Sequence, residues 1–345
     1  MKYSFGRKNI LVTGGAGFLG SHLCEALIKD NNVICLDDFL GGGGEIRNIE
    51  YLLRNPNFRF VKQNINQPLN LEAIAELKEF KIEIQGIQEV YHLACPTTAK
   101  NFMQMRMETL WANSIGTINV LELAKKYKAK FLLASSSVIY GAKHGQNPYF
   151  KETDFGSVNP DDPRACYDEG KRFAETCAMT YREVHGLETK VARIFRVYGP
   201  RLALFDGQMI SDFILQALNN KDMIIYGDEN FSTSLCYVDD IVTGMVLLMA
   251  SSEAGPVNLG DPEQHRLVDV AKKIIQVTQS QSKIVFREPL PFMRPLGLPD
   301  IALAKTKLNW FPVVGLDAGL NQTIEYVKVN RILLQPLVER YDQEK

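Results

Sequence analysis

Thr13-Gly14-Gly15-Ala16-Gly17-Phe18-Leu19-Gly20 decides how this chain folds. The stretch follows a short apolar run, Asn9–Thr13, and precedes an amphipathic run from about Leu19 to Lys29. A buried strand, a glycine turn and a helix are expected in that order. Gly14 permits the tight turn. Gly17 lets backbone amides approach a pyrophosphate, and Gly20 lets the helix pack close to the sheet. The helix N-terminus then turns partial positive charge toward the phosphates of a dinucleotide.

Outward from this turn, strands and helices alternate. Asn32–Asp37, Phe58–Ile65, Glu89–Cys95, Lys130–Ser137 and Thr189–Phe195 read as strands. The helical patterns run over about 101–127 and 164–184. Such alternation predicts an α/β fold, a doubly wound parallel sheet of Rossmann type. After about Tyr198 the segments shorten and gain Pro and Gly. Met223–Tyr226, Val257–Leu259 and Lys283–Phe286 are expected as small strands, and Asp300–Leu308 and Asp317–Val327 as helices. They form a smaller C-terminal α/β substrate domain. The boundaries drawn are 1–198 for the dinucleotide domain, with 234–252 returning to it, and 199–233 plus 253–345 for the substrate domain. Gly41–Gly44 reads as a loop.

Composition limits the partners. Lys plus Arg total 39 against 40 Asp plus Glu in 345 residues, which gives no field for nucleic acid or a membrane surface. A small anion held by a few arginines stays open. The six cysteines are scattered, with no Cys-x-x-Cys, and the five histidines, His22, His92, His144, His185 and His265, show no metal spacing; no metal is expected. No apolar run reaches the ~20 residues of a membrane span. With no leader pattern at the N-terminus, a soluble cytoplasmic protein is expected.

Asp37 ends the second strand, where a carboxylate accepts from the adenosine ribose hydroxyls; Asp38 is the alternative. The uncharged loop after it offers nothing to hold a ribose phosphate, so NAD is favoured over NADP. Tyr167 and Lys171 lie four apart on one helix face. Tyrosine is a poor base at its ordinary pKa of ~10, and a nearby ammonium favours the phenolate. Ser135-Ser136-Ser137 ends a strand and precedes Tyr140-Gly141. A hydroxyl there can reach both a substrate oxygen and the tyrosine, which completes a catalytic set beside the dinucleotide loop.

At this point the chain resembles the extended short-chain dehydrogenases of the NAD-dependent epimerase/dehydratase family, most closely the UDP-glucuronate decarboxylases (UDP-xylose synthases). The segments that carry the resemblance include LVTGGAGFLGSHL, VICLDDF, YHLACP, FLLASSSVIYG, NPDDPRACYDEGKRFAET, ARIFRVYGPR and CYVDDIV. They span roughly residues 8–330. The resemblance implies Ser136, Tyr167 and Lys171 as the catalytic trio, and NAD as cofactor. It places Asp37 on the ribose, Asn64 and Ile65 beside the adenine, and Asn113 in the helix behind the site. Gly14, Gly17, Phe18, Leu19, Leu93 and Ala94 complete the cofactor set. Pro96, Ser137, Arg196, Arg201 and Arg294 are the substrate candidates. It also implies a nucleotide-sugar substrate and a homodimer formed through a four-helix bundle by the helices near 101–127 and 164–184. The implied chemistry is oxidation at sugar C4, with Tyr167 taking the O4 proton.

The chain departs from the family at four positions. Val138 stands where the decarboxylases carry Glu, Thr233 and Leu298 where they carry Arg, and Arg196 where they carry Asn. Valine cannot move protons at C5. Three readings stay open: a decarboxylase, a 4-epimerase or 4-dehydrogenase without C5 chemistry, and a non-catalytic dinucleotide-binding regulator. Trp310 and the Met103–Met107 group read as packing, and His92 as a residue near the cofactor.

Overall fold

The computed structural model describes residues 6–41, 45–97, 104–142, 147–203, 209–290 and 297–331. Seven strands of the main sheet, taken in chain order, are β1 (Asn9–Thr13), β2 (Asn32–Asp37), β3 (Phe58–Lys62), β4 (Glu89–His92), β5 (Lys130–Ser136), β6 (Thr189–Ile194) and β7 (Pro256–Leu259). Their spatial order is β7-β6-β5-β4-β1-β2-β3, and every pair is parallel. Strands buried on both faces need continuous apolar runs; in β1 all five residues are buried. The order reverses between β1 and β4, the crevice where such sheets hold ligands.

Two apolar cores flank the sheet. One lies under α1 (Phe18–Leu27) and the helix Val238–Ala250, the other under the helices of the 106–127 segment and α4 (Ala165–His185). The single helix expected over 101–127 is broken. Residues 98–103 lie outside the described residues. The rest is α2 (Arg106–Trp111), a π-helical turn at Ala112–Gly116, and α3 (Thr117–Tyr127). π turns gather at functional sites. Here the turn faces α4: the Asn113 side chain lies where a Cβ on Gly170 would come within 3.0 Å of it.

The strand at 256–259 corrects one expected boundary. It pairs with β6, Val257 opposite Ala192 and Leu259 opposite Ile194, so the main sheet draws a strand from beyond residue 253. Its Val257 and Leu259 are fully buried, which explains why the segment reads as a strand without revealing which sheet it joins. The smaller layer contains the helices Met209–Leu218, Leu267–Thr278 and Leu316–Val329 and the parallel pair Met223–Tyr226 with Ile284–Arg287. Two of these helices, 209–218 and 267–278, were not singled out from sequence. Trp310 is buried and its indole donates to Asp240 O at 2.9 Å, a packing role. No helix among the described residues is long and apolar enough to cross a membrane.

Candidate active site

A cleft of about 720 Å³ opens over the C-terminal ends of the strands. Its floor at one end is the glycine turn. Gly14 has φ 71°, and a Cβ there would come within 2.7 Å of Ala94 N. A Cβ on Gly20 would lie 2.0 Å from Gly14 O. Only glycine lets β1, α1 and the chain after β4 approach this closely. Phe18 and Leu19, in the first turn of α1, line the cleft, as do Gly14, Gly17, Leu93 and Ala94.

Asp37 and Asp38 both line the cleft at the end of β2. Asp37 accepts from Ala16 N at 3.0 Å and Phe39 N at 2.9 Å, so the carboxylate is tied to the glycine turn itself. Asp38 accepts from Leu40 N at 3.0 Å. Burial pushes the Asp37 carboxyl up, against the lowering effect of its amide donors. Asn64 and Ile65 line the same end; Asn119 Nδ2 donates to Ile65 O at 2.8 Å and fixes that turn. Beside them the Asn66 Oδ1 is buried without a hydrogen-bond partner. The glycine cradle, the Asp37 carboxylate and an orphaned acceptor on a cleft-lining turn fit the pyrophosphate, ribose and base of a dinucleotide.

The other end of the cleft holds the catalytic candidates. β5 delivers Ser136, which caps the short 3₁₀ turn Ser137–Tyr140 by accepting from Val138 N. α4 delivers Tyr167 and Lys171. The Ser136 hydroxyl lies beside the Tyr167 phenol and favours its ionised form. Lys171 Nζ lies 6.0 Å from the Tyr167 ring centroid and donates to Ala134 O at 2.9 Å. Tyr167 and Lys171 are both buried. Burial pushes the Tyr167 phenol up; the Ser136 hydroxyl and the Arg164 charge pull it back. Val138 is buried in contact with Tyr167, with Cys95 packed against both. Asn113 Nδ2 reaches Cys95 Sγ at 3.0 Å and Thr109 O at 2.8 Å.

A buried network holds the end of β5 from below. Ser135 Oγ donates to Glu175 at 2.5 Å. Arg193 grips the same carboxylate through Nε and Nη2, at 3.1 and 2.8 Å, and donates to the Tyr140 hydroxyl at 3.0 Å. Tyr140 in turn donates to Asn258 Oδ1 at 2.7 Å. The carboxylate and guanidinium are fully engaged, which is what makes a buried ion pair tolerable.

His92 is fully enclosed, its ring nitrogens on Thr13 Oγ1 at 2.7 Å and Thr117 Oγ1 at 3.1 Å. It stands behind the glycine turn and does not line the cleft.

Of the substrate candidates, Pro96, Ser137 and Arg196 line the cleft. Arg201 does not. Its guanidinium pairs with Glu25 at 2.5 Å and sits 5.0 Å from the Tyr51 ring centroid, on the far side of α1. A φ of 66° at Arg201 turns the chain there. Arg294 lies outside the described residues. Thr233 and Leu298 are buried in short ladders, opposite His265 and Tyr149, and do not line the cleft. Sequence reading missed Arg164, which lines the cleft one turn before Tyr167 and pairs with Asp168 at 3.0 Å. It also missed the far wall formed by Met209, Phe213, Gln216, Tyr226 and Phe231.

Comparison with known proteins agrees with this geometry. Residues 10–260 match the model of the NAD dependent epimerase/dehydratase family. The chain belongs to that family. It is an NAD-dependent nucleotide-sugar-modifying enzyme. A curated relative, UDP-glucuronic acid decarboxylase 1 of Xenopus tropicalis, is 42% identical over 325 residues, which is 93% of this chain and 72% of the relative. The UDP-glucuronic acid decarboxylase 1 of Arabidopsis thaliana is 40% identical over 330 residues, 95% of this chain and 71% of that one. Among solved structures, the UDP-glucuronic acid 4-epimerase of Bacillus cereus, in complex with UDP-glucuronic acid and NAD, superposes with a TM-score of 0.80 at 28% identity, over 93% of this chain and 99% of the other.

Proposed function

We propose that this enzyme oxidises the C4 hydroxyl of a nucleotide-linked sugar acid, with Tyr167 as the base. The observation that carries the reading is the convergence of Ser136, Tyr167 and Lys171 on one cleft with the glycine cradle. Ser136 holds the sugar O4 against the phenol, and Tyr167 takes the O4 proton. Lys171, one helical turn on, holds the phenolate form by its charge. Gly14, Gly17, Phe18 and Leu19 hold the pyrophosphate of NAD, Asp37 the adenosine ribose, and the Asn64–Asn66 turn the adenine. Bound NAD supplies the hydride acceptor. The sugar acid is inferred from the relatives at about 40% identity, whose names give UDP-glucuronic acid as substrate.

A second reading concerns the fate of the sugar once C4 is oxidised. Val138 is apolar and packed on Tyr167, so the sugar side of the site lacks an acid at the position that would serve C5. That favours a net 4-epimerisation or simple oxidation over decarboxylation. Incubating the NAD-loaded enzyme with UDP-glucuronate and weighing the product separates them. Unchanged mass with inverted C4 marks epimerisation, loss of two hydrogens oxidation, and loss of carbon dioxide decarboxylation. Recovery of only unmodified substrate and cofactor contradicts the proposal.

The working unit of this reading is a homodimer. Met107, Leu110, Trp111, Ile115 and Ile118 on the 106–127 segment, with Phe173 on α4, are all exposed by more than a third of their surface. The segment and α4 pack together and present one apolar stripe, the kind of surface that pairs across a two-fold axis in a four-helix bundle. Light scattering at micromolar concentration tests it, and a monomeric mass there contradicts it. A cytoplasmic setting is part of this reading, and the scattered cysteines without a Cys-x-x-Cys pair suit it.

A further inference from the structure

Ser136 and Ile194 are register partners at the ends of β5 and β6. Val138 and Arg196 each come two residues later, so the two chains leave the sheet side by side and bring both residues to the same part of the cleft. Arg196 is a cation without a counter-charge among the described residues. Its carbonyl accepts from Cys236 N at 3.0 Å, which fixes the backbone. Its guanidinium reaches Met209 Sδ, at 3.8 Å, and no carboxylate among the described residues. A second guanidinium, Arg164, faces the same space one turn before Tyr167. Burial and the Arg164 charge hold Arg196 down at about 10. Two like charges turned into one cleft, one of them without a carboxylate, favour an anion placed between them.

We infer that Arg196, supported by Arg164, is the specificity residue that binds the C5 carboxylate of the sugar. Two anions are available on a nucleotide-linked sugar acid, the diphosphate on C1 and the carboxylate on C5. O4 must lie at Ser136 and Tyr167 for oxidation. C5 is bonded to C4, so its carboxylate falls beside these residues, whereas the diphosphate leaves the ring from the opposite side. Arg196 extends from the strand paired with that of Ser136, so the carboxylate is the anion within its reach. The planar guanidinium also matches a carboxylate with two parallel hydrogen bonds. The site thus has no acid at 138 to act on C5, and a cation at 196 to hold the carboxylate that C5 carries.

The inference rests on the C4 reading only for the orientation of the sugar. It is tested by binding alone, so a failure of C4 oxidation and a failure of this assignment give different results. Calorimetry on the NAD-loaded enzyme with UDP-glucuronate, UDP-glucose and UDP measures the selectivity. The wild type is expected to bind UDP-glucuronate about tenfold or more tighter than UDP-glucose, the range of a charge-assisted hydrogen bond. Arg196→Met abolishes that preference and leaves UDP and NAD affinity unchanged, which also verifies the fold of the variant. Arg196→Lys keeps the charge without the fork and retains part of the preference. A preference that survives Arg196→Met overturns the assignment. So does an equal loss of UDP affinity, which marks Arg196 as a diphosphate ligand.

Discussion

Tyr167 and Ser136 meet in one cleft although they come from different elements, one from the first turn of α4 and the other from the tip of β5. The approach matters because burial holds the phenol in its protonated form and the Ser136 hydroxyl opposes it. Removing the hydroxyl leaves the ring in its packing against Val138. Tyr167→Phe is therefore expected to lower kcat by about 10²–10⁴-fold, the usual range for loss of a general base, with NAD affinity retained. Activity within about threefold of wild type removes Tyr167 from its assigned role.

Asp37 leads to a prediction about the cofactor. Its carboxylate faces the cleft where an adenosine ribose would lie, so a 2′-phosphate there meets a like charge. NAD is expected to bind at least ~tenfold tighter than NADP, and Asp37→Ser narrows the gap. Titrating both cofactors into both proteins measures it. Equal affinities in the wild type contradict the role given to Asp37.

Val138 is expected to limit chemistry at C5. Once C4 is a ketone, loss of carbon dioxide from the C5 carboxylate leaves an enolate that must be protonated at C5, and Ser136 and Tyr167 are engaged at O4. Val138→Glu restores an acid at that position. The variant is expected to release carbon dioxide from UDP-glucuronate faster than wild type and to take up more solvent deuterium at C5. Fast decarboxylation with C5 deuterium in the wild type, unimproved by the glutamate, shows that the missing acid does not matter.

His92 makes the fold sensitive to acid. Burial, with the nearby Lys171 charge, lowers its pKa from 6.5 to about 3. Between these values the unfolded chain binds a proton that the folded chain does not, so stability falls as pH drops from about 6.5 toward 3. This one group contributes a slope of up to about 1.4 kcal/mol per pH unit. Urea unfolding across that window is expected to show the slope reduced by about one proton in His92→Gln relative to wild type. An identical slope in both proteins contradicts the buried neutral imidazole.

Particular residues show how far the sequence could be read. β1 and β2 run where their apolar residues end in glycine or aspartate, because a buried parallel strand has no other composition open to it. The gathering of Gly14, Asp37, Ser136, Tyr167 and Lys171 around one cleft was legible because each expected role binds one residue type to one local element. The pairing of Arg201 with Glu25 was not legible because its direction depends on a backbone turn with positive φ that no spacing announces. Arg164 was overlooked because its relation to Arg196 exists only after α4 docks against the end of β6. The far wall draws Met209, Gln216, Tyr226 and Phe231 from a helix, a short strand and a loop, so no periodicity links them. The placement of Pro256–Leu259 in the main sheet was hidden for the same reason: a short apolar strand carries no address.

The most direct test of the account is one rapid-mixing experiment. NAD-loaded enzyme is mixed with UDP-glucuronate carrying either hydrogen or deuterium at C4, and the absorbance of the reduced nicotinamide is monitored. The account predicts a rise in that absorbance, slower with the C4-deuterated sugar, and absent in Tyr167→Phe. A rise of equal rate with both sugars, or product formed with no reduction of the cofactor, contradicts C4 oxidation by this site.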